Sequence, residues 1–140
     1  MKERDMQHAL AEAIRASGLW PAAAPVLVAR PGDLEAAISE SLGKAGLCVV
    51  VGEPDNLSCQ DGAAEFILTS DWTLTVFATE ALNPTGLDSL AATFLLLEIL
   101  GDTNPSGHWA EPLTRGRIRF VGIEEGVTAR EVTFTAAYER

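Results

Sequence analysis

Cysteine is scarce in this chain: Cys48 and Cys59 are the two among 140 residues, too few for a disulfide framework. Positive charge is scarce as well. Ten Lys and Arg stand against twenty Asp and Glu, for a net charge of −10. A chain of that sign does not grip phosphate backbones over its whole surface, so nucleic-acid binding would need a local basic patch. No apolar run approaches membrane-spanning length: residues 94–97 are cut off by Glu98, and residues 47–51 are a run of only five. The opening, MKERDMQHAL, is charged and has no apolar stretch, so no signal peptide is expected and the expected setting is a reducing cytoplasm. Glycine fingerprints for dinucleotides, a P-loop and the Gly-x-Ser-x-Gly of a nucleophile elbow are all missing from the sequence.

What is present is enough apolar material for a core. Apolar residues make up 47% of the chain, which fits one globular domain and argues against disorder. The organising stretch is residues 65–101. Trp72, Leu74, Val76 and Ala78 alternate with Thr73, Thr75, Phe77 and Thr79, the period of a half-buried strand. Asn83-Pro84 ends that strand. Thr85 is the expected N-cap of a helix over residues 86–100, with Asp88 at the capping-box position. This helix is apolar almost all round, so cover is expected on more than one side: a sheet on one, and a second helix or another subunit on the other. Phe94 and Leu97 are expected in the core.

Around this stretch the order is as follows. Residues 2–17 predict a helix with a thin stripe of Met6, Leu10 and Ile14, ended by Gly18 and read as a peripheral arm. Residues 26–29 predict a short strand. Residues 34–45 predict a helix with Leu34, Ala37, Ile38 and Leu42 on one face, capped by Asp33. Residues 47–51 predict a central strand buried on both faces, broken by residues 52–56. Residues 65–69 and 72–79 are one bent strand or two. Residues 101–116 form a long loop, a candidate functional element for its length. Residues 117–123 and 129–139 predict a closing hairpin, with Ile118 and Phe120 inward and Arg117 and Arg119 outward. The expected class is α+β, a mostly antiparallel sheet packed against two helices on one face. An arm over residues 1–24 precedes a single domain over 25–140.

Candidate chemistry is sparse. His108 sits beside Trp109 with Asp102 and Glu111 nearby, which suits acid–base or metal chemistry, or a loop that Trp109 anchors to the core. His8 has only Glu12 at helical spacing and reads as solvated. Glu53, Asp55, Asp61 and Glu65 flank a polar loop but lack the spacing of a calcium loop. Arg115, Arg117, Arg119 and Arg130 are the clustered cations outside the N-terminal segment. Cross-strand pairs with Glu131 or Glu139 are one reading, and contact with an acidic neighbour is the other.

The element order, together with TLTVFATEALNPTGLDSLAATFLLLEIL and REVTFTAAYE, resembles the tail-completion or tail-terminator proteins of long-tailed phages and prophages, in particular the Mu-like group. The resemblance covers about Asp33 to Arg140 and leaves the first helix as an extra. It implies a structural protein of a phage tail that forms a ring, a hexamer by analogy. Such a ring caps the tail tube, stops its growth and docks to the neck. It implies no enzymatic activity and no cofactor, metal, membrane or sequence-specific nucleic-acid partner, with assembly in the host cytoplasm and a final place in the virion tail. The expected interface residues are Arg115, Arg117, Arg119, Arg130 and Trp109. The competing classes are a small hydrolase built on His108 and an acidic adaptor domain.

Overall fold

The computed structural model describes residues 2–30, 32, 34–60, 67–79, 83 and 85–139. The elements are α1 (Lys2–Ala16), β1 (Val26–Val28), α2 (Leu34–Ala45), β2 (Leu47–Gln60), β3 (Ile67–Thr79), α3 (Ser89–Leu100), β4 (Thr114–Glu124) and β5 (Val127–Glu139). One 3₁₀ turn, Pro105–Gly107, interrupts the connection from α3 to β4. The class is α+β. A five-stranded mixed sheet runs in the order β1-β2-β3-β5-β4, with β1 parallel to β2 and all other pairs antiparallel.

The alternation read in the sequence sets the faces of this sheet. Trp72, Leu74, Val76 and Ala78 on β3 are fully buried, as are Val132, Phe134 and Ala136 on β5, with Tyr138 nearly so. The two strands pair Trp72 with Phe134 and Leu74 with Val132, so their inward sets line up on one face. On β2, Leu47, Val49 and Val51 join that same core, while Cys48 and Val50 are buried on the other face. This is the doubly covered central strand that a continuous apolar run predicts. Burial pushes the Cys48 thiol up to about 12, so it stays protonated at neutral pH.

Helices cover the two faces unequally. α1 lies against β1, β2 and α3, and α3 lies against β3 and β5, so these two share one face. α2 packs over β2 and β3 from the other side, where it borders Phe77. The helices that share a face are therefore α1 and α3. The stripe read as that of a peripheral arm is packed into the core, because Met6, Leu10 and Ile14 are all fully buried.

Some boundaries differ from the sequence expectation, and others are settled between its alternatives. β2 does not break at residues 52–56 but continues to Gln60 through register shifts after Val51 and after Asp55. Gly52 allows this: a Cβ there would lie 2.8 Å from the Thr73 carbonyl oxygen, so only glycine lets the two backbones pass. β3 is a single strand from Ile67 to Thr79, while Glu65 and Phe66 lie outside the described residues. α3 starts later than expected, and its N-cap is Asp88, which accepts from the Ala91 backbone N–H at 2.7 Å. Thr85 instead accepts from the Leu87 N–H in the turn before the helix. The expected N-cap of α2, Asp33, lies outside the described residues.

Candidate assembly surface

β4 is one edge of the sheet, and its sequence puts three arginines at alternate positions 115, 117 and 119. Alternation would place all three on one face. A register shift between Arg115 and Ile118 breaks the pattern, and Gly116 sits at that shift, where a Cβ would strike the Thr133 carbonyl. The three cations consequently have different surroundings. Arg115 turns to the helix side: Nε donates to the Leu97 carbonyl at 2.9 Å, and a terminal nitrogen pairs with the Asp102 carboxylate at 2.7 Å. It thereby caps the C-terminal end of α3, where a cation favours the helix dipole. Arg119 faces the other way and pairs with Glu131, its register partner on β5. Arg117 is exposed and makes no ion pair among the described residues.

Arg130 sits on β5, on the helix side of the sheet. Its Nε donates to the Ser89 hydroxyl at 2.9 Å, and its guanidinium lies 5.1 Å from the centre of the Phe120 ring. Ser89 is the first residue of α3, so the dipole there opposes a cation. The aromatic face and the hydroxyl hold Arg130 in place.

Trp109 is not at the surface. It is 4% exposed, and its ring meets Trp72 edge-on at 5.3 Å. The loop from α3 to β4 is pinned to the core by this contact, and the Asn104 side chain adds reciprocal bonds, donating to the Trp109 carbonyl and accepting from its N–H. As a core residue, Trp109 offers no area to a neighbour and drops out of the candidate interface. His108 is half-buried and packs against Trp109 at 6.4 Å between rings. The Asp102 carboxylate that was weighed as its partner is committed to Arg115. Among the described residues, no three His, Cys, Asp or Glu side chains are grouped to hold a metal ion. Asp61 and Glu65, also weighed, lie outside the described residues.

Apolar residues, not charges, are what the sequence reading missed here. Phe94 was expected in the core and is 52% exposed. The buried positions of α3 are Ser89, Ala92, Thr93, Leu96 and Leu100, so the core takes its small residues along with two leucines. Leu97 is half-buried against the core, while Leu90 and Phe94 point away from it. Phe120, expected inward, is 49% exposed: among the described residues, no helix packs extensively on the helix side of β4. Val121 and Ile123 are exposed beside a groove of about 770 Å³ between α2 and the β4–β5 hairpin. Among the described residues, five of the seven exposed large apolar side chains therefore lie on β4 and on α3: Leu90, Phe94, Phe120, Val121 and Ile123. Leu90, Phe94 and Phe120 lie on the helix side, while Val121 and Ile123 border the α2 groove. The signal was in the sequence: a helix apolar on every side, above a sheet with room for only one of them.

The far side of the sheet differs. Among the described residues, β1 pairs with β2 only at Val49–Val51, so β2 from Gly52 onward is itself an edge there. It carries Glu53 and Asp55 and no Lys or Arg. Asp55 stands directly opposite Asp71 of β3, and like charges at that spacing repel. The Asp71 carboxylate is held by bonds from the Asn56 amide at 2.8 Å and the Thr135 hydroxyl at 2.9 Å.

No protein-family model matches the chain, and no curated protein matches it. Among solved structures, a chain from the "Virion of native gene transfer agent (GTA) particle" has a similar fold, with a TM-score of 0.70 and 20% sequence identity. The likeness spans 96% of this chain and 95% of that one, so α1 is included in the shared fold.

Proposed function

We propose that this chain is a structural protein of a phage-like particle, one that forms a ring at the end of the tail tube, stops its growth and docks to the neck. The observation that carries the reading is the end-to-end fold likeness to a chain of a virion particle. The exposed apolar strip on α3 and β4 supports it, since an assembling subunit needs area to bury. So does the net charge of −10: a ring whose channel passes DNA is served by walls that repel phosphate. On this reading the protein is not an enzyme and uses no cofactor. The ring is a hexamer by analogy with the tail terminators, assembled in the host cytoplasm and retained in the virion tail. Residues 1–24, which include α1, are then part of the subunit body.

The test combines sedimentation of the purified protein with electron microscopy of tail tubes assembled with and without it. Closed rings, and tubes of defined length only when the protein is present, are expected. A protein that stays monomeric at millimolar concentration and leaves tube length unchanged would overturn the reading.

A further inference from the structure

Resting on the proposed ring, we infer that copies of this chain join head to tail, with the β4 edge of one docked on the distal β2 edge of the next. The two edges lie on opposite sides of one sheet, as a heterologous contact requires. Their charges are opposite as well. β4 presents Arg117 and Arg119, while distal β2 presents Glu53 and Asp55, backed by Asp71. Two distal β2 edges set acid against acid, whereas the β4 edge offers them Arg117 and Arg119, so the alternating contact is favoured over a symmetric β2–β2 dimer.

The faces match too. Joining edges extends the sheet and keeps the helix side of one copy next to the helix side of the other. On that side β4 and α3 offer Phe120, Phe94 and Leu90, and the distal parts of β2 and β3 offer exposed Leu57 and half-buried Leu68. Apolar area therefore meets apolar area. Arg4 and Arg30 border the β2 edge on the helix side beside Glu53, so Glu53 has cations of its own chain nearby and Asp55 with Asp71 carries the acidic character of the edge. The acidic contact accordingly lies on the α2 side, where Asp55 and Asp71 pair and where Arg119 projects from β4. An arriving Arg117 relieves the repulsion between Asp55 and Asp71. The charges set register and direction, and the apolar strip supplies most of the affinity.

Reciprocal charge reversal tests this. Variant one is Arg117→Glu with Arg119→Glu; variant two is Glu53→Lys with Asp55→Lys. All four side chains are exposed, and circular dichroism with thermal melting checks that each variant folds. Each variant alone is expected to raise the concentration needed for assembly about tenfold or more. A one-to-one mixture should assemble like wild type, because each reversed edge then meets its complement. A third variant, Phe94→Ser with Phe120→Ser, should also fold and assemble at least about tenfold less readily. If wild type forms rings and variants one and two do so equally well alone, the edge contact is wrong while the ring reading stands. Loss of assembly that the mixture does not restore also overturns the edge contact. A wild type that never assembles overturns both.

Discussion

Helices α1 and α3 lie side by side on the same face, and their sequences suggest opposite roles from those they have. α1 has three large apolar residues on a charged background, and all three are fully buried. α3 is apolar on nearly every side, yet Leu90 and Phe94 are left in solvent. Burial depends on what stands opposite a helix, not on how apolar it is. α1 is enclosed by β1, β2, α3 and the 3₁₀ turn after α3, so a narrow stripe is enough. α3 has the sheet beneath it and α1 on one flank, and its flank toward β4 faces no further helix. The surplus apolar surface of α3 is left uncovered by the other described elements of this chain.

The largest effect should come from the helix that looks peripheral. Leu10→Ala in α1 is expected to destabilise the protein by about 2–5 kcal/mol in chemical denaturation, since a fully buried leucine leaves a cavity. A loss below about 1 kcal/mol would mean that α1 is not part of the core. The next effect concerns where α3 begins. Asp88→Ala should cost about 1 kcal/mol, and Thr85→Ala less, because Asp88 is the residue that caps the helix. The reverse order would restore Thr85 as the cap. The smallest effect belongs to the most apolar-looking position: Phe94→Ser should change monomer stability by only ~0.5 kcal/mol or less, as for other exposed sites. A loss of about 3–5 kcal/mol would show Phe94 to be buried after all.

The sequence alone was sufficient for the elements. Alternation at residues 72–79 and 129–138 identified β3, β5 and their inward faces, because period two is set by the strand backbone itself. The continuous run at residues 47–51 identified a strand covered on both sides for the same local reason. Glu131 was among the partners read for Arg119, since hairpin pairing follows from the turn at residues 124–126. The candidate surface was only half legible. Its arginines were visible as a cluster, but the register shift at Gly116 that separates Arg115, Arg117 and Arg119 depends on how β5 approaches β4. The enclosure of Trp109 and the exposure of Phe94 and Phe120 were likewise decided by packing. Periodicity reports which residues share a face. Which faces meet another element is settled only when β3 and β5, which are not consecutive in sequence, become neighbours, and that ordering left β4, β1 and the outer half of β2 as edges among the described residues.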